Sequence, residues 1–152
     1  MQYFDMFNVR FSAVERDAIP AGAPPIGKTA FVAIDGYLAL TLIPEDAEVD
    51  LDALRAITTA KFIRQADVVD AKMRLNVPED EEVPPIDLYG AAVYIDERLA
   101  GQEDIVMTSG DPRRLLVVNY RDYTRKVHPV VARVATVAAA KVAQRPRLMV
   151  VA

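Results

Sequence analysis

Lys28 is the residue whose setting most suggests chemistry. It follows Ile19-Pro20-Ala21-Gly22-Ala23-Pro24-Pro25-Ile26-Gly27, where three prolines remove backbone donors and two glycines open unusual dihedrals, and it precedes an apolar run. A lysine at the point where such a loop enters a strand occupies the usual address of a side chain that points into a cleft; an exposed strand-end lysine is the plainer alternative. Thr108-Ser109-Gly110 closes a second apolar run with two hydroxyls and a glycine. That triplet offers hydrogen bonds and close backbone approach to a ligand, although on its own it is more often a turn.

Other chemistries find little material. The one histidine, His128, is followed by Pro129, and the serines are Ser12 and Ser109. Ser109 lies in Met107-Thr108-Ser109-Gly110, without the glycine-framed elbow that presents a hydrolase nucleophile. Cysteine is absent, which excludes disulfides, thiolate catalysis and cysteine zinc sites and suits a reducing compartment. No histidine pair has metal spacing, and Glu79-Asp80-Glu81-Glu82 is too contiguous for the alternating ligands of a calcium loop, so no metal site is expected. Gly27-Lys28-Thr29 matches only the tail of a phosphate-binding loop, and here the lysine enters a strand.

A net charge of −4 argues against a broad nucleic-acid clamp. A local basic rim remains open at Arg113, Arg114, Arg121, Arg125 and Lys126, against the alternative that these are a solvated face. Met1-Gln2-Tyr3-Phe4-Asp5 has neither a basic start nor an apolar run, and Arg133 and Lys141 interrupt the alanine- and valine-rich stretch near the end. Neither a signal peptide nor a membrane span is expected, and a cytoplasmic location is.

The elements that must position these residues follow from periodicity. With 52% apolar residues in 152, one core is expected. Phe7, Val9, Phe11 and Ala13 alternate with polar residues as in a half-buried strand. Thr29 to Ile34 and Tyr37 to Ile43 flank Asp35-Gly36, the signature of a tight antiparallel hairpin. Asp50 caps a helix carrying Leu51, Leu54 and Ile57; Lys61 to Gln65 returns as a strand; Asp67 caps a second helix with Val68, Val69, Met73 and Leu75 inward. Pro78 to Asp87, with three prolines and five acids, is a loop. Strands are expected at Ala91 to Ile95, Ile105 to Thr108 and Leu115 to Val118, and a short helix at Arg121 to Val127. Pro129 to Gln144 reads as a final helix, against the propensity of its valines. The expected fold is α+β: a mixed, mostly antiparallel sheet with flanking helices, formed by residues 1–127, with 128–152 a C-terminal helical extension of the same domain.

Four stretches in this order carry a family resemblance: Gly27-Lys28-Thr29-Ala30-Phe31-Val32, Val49-Asp50-Leu51-Asp52-Ala53-Leu54, Val83-Pro84-Pro85-Ile86 and Thr108-Ser109-Gly110. Together with Ala60-Lys61-Phe62-Ile63-Arg64-Gln65-Ala66 and Val93-Tyr94-Ile95-Asp96, they resemble the YbaK family of aminoacyl-tRNA deacylases and the related editing domain inserted in bacterial prolyl-tRNA synthetase. The resemblance implies removal of a small amino acid such as alanine or cysteine from the acceptor end of a mischarged proline tRNA, with no metal or organic cofactor. It implies a catalytic role for Lys28 and substrate contacts at Val83, Pro84, Pro85, Ile86, Thr108, Ser109 and Gly110. An aminoacyl-tRNA synthetase is a further partner it allows. The chain departs from the family by placing Glu82 and Asp87 where glycines flank the proline element, and by lacking the helix between the first strand and the lysine strand. The acids favour a second reading, a catalytically inactive module that binds tRNA or an aminoacyl ligand; a third is a structural subunit that self-associates through its apolar tail.

Overall fold

The structure, a computed structural model, describes residues 3–4, 7–19 and 22–136. Its strands are β1 (Phe11–Glu15), β2 (Gly27–Ile34), β3 (Tyr37–Pro44), β4 (Ile63–Gln65), β5 (Ala92–Asp96), β6 (Asp104–Thr108), β7 (Arg114–Asn119) and β8 (Val130–Ala132). Its helices are α1 (Leu51–Thr58), α2 (Val68–Leu75) and α3 (Tyr120–Val127). The class is the expected α+β, with the strands divided between two sheets: an antiparallel one in the order β1-β7-β6, and a mixed one in the order β4-β2-β3-β5-β8. In the mixed sheet β4, β2 and β3 pair antiparallel, while β3–β5 and β5–β8 are parallel. Among the described residues no helix is long and apolar enough to cross a membrane.

The β2–β3 hairpin forms because Asp35 and Gly36 both accept positive φ, 48° and 86°, so that Ile34 meets Tyr37 and the register runs back to Gly27 opposite Pro44. Side chains alternate across β2. Phe31 faces a core shared with Leu40, Leu42, Ile95, Met107 and Tyr123. Val32 faces a second core with Ile43, Leu54, Ile63 and Val134. The mixed sheet is therefore buried on both faces, which explains its nearly continuous apolar strands.

The helix starts follow the expected chemistry. Asp50 accepts from Ala53 N at 3.0 Å and Asp67 from Asp70 N at 3.1 Å, each satisfying one orphan donor. All three helices stop on a left-handed residue: Thr59, Asn76 and His128.

Several expectations are corrected. The first strand begins at Phe11, because Asn8 turns the chain with φ 57° and Val9 N bonds Phe4 O; Val9 is buried and Phe7 half exposed. On α2 the buried face is Ala71 and Leu75, four apart, whereas Val68, Val69 and Met73 face outward. On α1 Leu54 is inside and Ile57 is largely exposed. The helix expected from Pro129 gives way to β8, since left-handed His128 followed by Pro129 ends α3 and the β-branched Val130 and Val131 pair in parallel with Tyr94 and Ile95. Buried Asp96 then holds the chain beyond β8, accepting from Val134 N and Ala135 N at 3.0 Å each and from the Arg98 guanidinium at 2.9 Å. The remainder of that expected helix, and the apolar tail read as a self-association element, lie outside the described residues.

Candidate active site

Gly27 sets the position of Lys28. A Cβ on Gly27 would come within 2.8 Å of Leu42 Cγ and 3.0 Å of Leu99 Cδ1, so only glycine lets β2 begin so close to its neighbours. Ile26 bridges to Val106, bringing the start of β2 beside β6, and the Thr29 and Thr108 hydroxyls meet at 3.3 Å. Thr108 gives its proton to Val83 O at 3.4 Å, which makes Thr29 the donor between the two threonines. This chain of hydroxyls ties β2 and β6 to the proline loop.

Between them opens a cavity of about 230 Å³. Lys28, Thr29 and Phe31 contribute from β2, Thr108 from β6, Glu82 and Val83 from the proline loop, and Val68 and Lys72 from α2. The wall is thus apolar at Phe31, Val68 and Val83, hydroxylated at the threonines, and charged at Lys28, Lys72 and Glu82. Lys72 Nζ donates to Glu79 O at 3.0 Å. Lys28 makes no ion pair within 4.0 Å among the described residues, so its ammonium is open to a ligand.

Three of the candidates from sequence, Lys28, Val83 and Thr108, therefore share one cleft, and five shape the loops around it. Ser109 is fully buried; its hydroxyl shares a proton between the carbonyls of Asp111 at 2.9 Å and Arg114 at 3.0 Å and accepts from Asp111 N. A side chain so occupied organises the turn before β7. Gly110 O accepts from Glu82 N at 3.0 Å, linking that turn to the proline loop. Pro84 O accepts from Ile86 N, Ile86 lies in the core, and Pro85 O accepts the proton of Tyr123. Burial raises the Tyr123 hydroxyl well above the ordinary tyrosine value, which favours the protonated form that donates this bond.

The two acids of the loop differ. Asp87 points away from the cleft and accepts from Tyr3 OH and from Lys126 Nζ at 3.1 Å. Burial alone would raise its carboxyl, but the hydrogen bonds from Tyr3 and Lys126 outweigh burial and carry it below its ordinary value. Glu82 lines the cleft; its Oε1 is buried without a hydrogen bond, and Arg16 Nη2 stands 3.8 Å away.

Sequence reasoning missed Thr29, Phe31 and Lys72 as walls of the Lys28 cleft, and Arg16 as the cation beside Glu82. The available signal was Val68 and Lys72, four apart and therefore on one face of α2. Of the rim candidates, Arg113 pairs with Asp111, Arg114 with Glu15, Arg125 with Asp122 and Lys126 with Asp87, as the solvated-face alternative expects, while Arg121 makes no ion pair within 4.0 Å among the described residues.

The sequence pattern of the aminoacyl-tRNA editing domain matches residues 19–126. The chain belongs to the aminoacyl-tRNA editing domain family. The match spans every wall of the Lys28 cleft and ends before β8. Solved structures show the same fold. A hypothetical protein at 17% identity covers 89% of this chain and 97% of its own, with a TM-score of 0.73. A candidate trans-editing enzyme for prolyl tRNA synthetase, at 19% identity, covers 84% and 87% with a TM-score of 0.65. A protein from Marinobacter aquaeolei assigned to signal transduction, at 15% identity, covers 86% of this chain and 28% of its own with a TM-score of 0.66, so the fold also occurs inside a larger protein. Among curated proteins none matches the chain in sequence.

Proposed function

We propose that this editing domain acts in trans on mischarged tRNA, hydrolysing the ester between a small amino acid such as alanine or cysteine and the terminal ribose of proline tRNA. The observation that carries the reading is the uncompensated Lys28 ammonium in a cleft of about 230 Å³. A space of that size suits a small side chain against Phe31, Val68 and Val83, with the threonine hydroxyls available to its polar groups.

In the reaction a water oxygen bonds to the ester carbonyl carbon, the bond to the ribose oxygen breaks, and the ribose oxygen takes a proton. Lys28 anchors the terminal phosphate or ribose and so fixes the ester in the cleft. Val83 and Thr108 contact the aminoacyl group, while Pro84, Pro85, Ile86, Ser109 and Gly110 hold the two loops at the spacing that contact requires.

Glu82 favours a second reading, a module that binds tRNA or an aminoacyl ligand without cleaving it. A carboxylate at the cleft opposes negative charge developing on the carbonyl oxygen. The discriminating experiment measures release of amino acid from a panel of mischarged tRNAs, including alanyl- and cysteinyl-proline tRNA, by wild type and Glu82→Gly. Turnover by wild type supports the deacylase; turnover gained only in the variant identifies a disabled editing domain; turnover by neither rejects hydrolysis.

A further inference from the structure

The cations of this protein are divided unevenly. Eight of them, Arg10, Arg16, Arg98, Arg113, Arg114, Arg125, Lys126 and Arg133, stand within 4.0 Å of a carboxylate. Between Lys28 and Arg74 none does so among the described residues. Four of these unpaired cations, Arg55, Lys61, Arg64 and Arg74, are exposed and line one cavity of about 300 Å³ around Phe62. No acid lines that cavity; Asp67 and Asp70 border a neighbouring cavity with Arg64 and Arg74 without forming an ion pair within 4.0 Å.

Local structure presents Phe62 deliberately. The Asp35 carboxylate accepts from Lys61 N at 3.0 Å and Phe62 N at 2.8 Å, and Asp35 N donates to Phe62 O, so the segment entering β4 is fastened to the hairpin turn. Phe62 is nonetheless 76% exposed. Arg74 donates to Gly36 O at 3.3 Å and also borders an adjoining cavity of about 590 Å³ that includes Tyr37, Tyr89 and Tyr94.

Exposed cations of one sign gathered along a cavity create a positive potential that favours an anion there. Phosphodiester oxygens suit the guanidinium fork, and a nucleobase suits the ring face. The placement also fits a nucleic acid already engaged at Lys28. Thr29, Phe31 and Ala33 alternate onto one face of β2, the first two in the Lys28 cleft and the third in the Phe62 cavity. Helix α2 links the two, with Val68 and Lys72 at the first and Arg74 at the second. Lys28 and Ala33 are separated by roughly 17 Å of strand, a distance one bound strand can span.

We propose that the Phe62 cavity is an RNA-docking site, where Arg55, Lys61, Arg64 and Arg74 hold backbone phosphates and Phe62 stacks on a base. The identity of that RNA as the body of the tRNA substrate rests on the editing function proposed above.

The test is equilibrium binding of deacylated proline tRNA to the full chain across a salt series. The Arg64→Ala/Arg74→Ala double variant, at exposed positions, should bind at least about tenfold more weakly, with a log–log salt slope shallower by about 1 to 2. Phe62→Ala should weaken binding about tenfold and leave the slope unchanged. Arg113→Ala, on the opposite cationic group, should bind as wild type does. Wild-type affinity and slope in the double variant overturn the proposal, as does absence of tRNA binding by wild type. Displacement of the tRNA by polyglutamate at equal charge would mark a general polyanion surface and overturn it too. Patch-dependent tRNA binding without ester hydrolysis leaves this site standing and rejects the deacylase; hydrolysis with patch-independent binding does the reverse.

Discussion

At one end of the proline loop Asp87 is bonded to Tyr3 and Lys126, on the side away from the cleft; at the other end Glu82 faces the cleft with a buried oxygen that has no hydrogen bond. Both acids stand where the family resemblance leads one to expect glycine, yet their settings differ. Asp87 has been absorbed into the fold, where its charge joins the loop to α3 and to the amino-terminal aromatics. Glu82 has been left in the functional space, where a dehydrated and unbonded oxygen is unfavourable unless a ligand or a moving cation completes it. A charge bonded into the fold and one left without a hydrogen bond at a cleft can therefore stand five positions apart.

Tyr123→Phe should break the Asp87 end most severely. It leaves Pro85 O buried without a donor, and a loss of about 1–3 kcal/mol in urea unfolding is expected. A change near zero would mean that the carbonyl is not held by this bond.

Gly27→Ala tests whether β2 must lie flush against Leu42 and Leu99, and overpacking there should cost about 1–3 kcal/mol. Full stability would show that the two leucines move aside readily.

Neutralising the acids one at a time sharpens the contrast. Asp87→Asn should lose up to about 1 kcal/mol, the range of a partly exposed ion pair. Glu82→Gln should stay within about 0.5 kcal/mol and instead tighten binding of an anionic ligand at the cleft. Equal effects on stability would remove the distinction drawn between them.

The smallest effect concerns pH. Asp122 is lowered to about 2, first by the hydrogen bond from the Arg10 side chain and then by that from Arg10 N. A carboxyl lowered on folding adds stability above its unfolded value, about 4, and loses it as pH falls towards the folded value. Asp122→Asn should therefore flatten the decline in stability between about pH 4 and 2. An identical acid limb in wild type and variant would contradict this.

What could be read from sequence was local. Asp35-Gly36, Asp50 and Asp67 each act through a neighbouring backbone, and each lies where expected. β8 could not be read, because parallel pairing of Val130 with Tyr94 is long-range while the alanines and valines around it count equally well as helix. The site divides in the same way. Lys28 and Thr108 were visible at the ends of apolar runs; Lys72 and Glu82 reach them only through the placement of α2 and the proline loop. Ser109 was legible as a polar residue in a turn, but not as one whose hydroxyl is consumed by that turn. The cations around Phe62 were hidden because unpaired and paired arginines look alike until their carboxylates are placed.

The most direct test compares wild type with Lys28→Ala for hydrolysis of alanyl- and cysteinyl-proline tRNA, with thermal unfolding recorded on the same samples. If the Lys28 cleft is the deacylation site, the rate should fall by about 10²-fold or more while the unfolding curve moves by no more than a surface substitution requires. Equal hydrolysis by the two proteins, each folded, would contradict it.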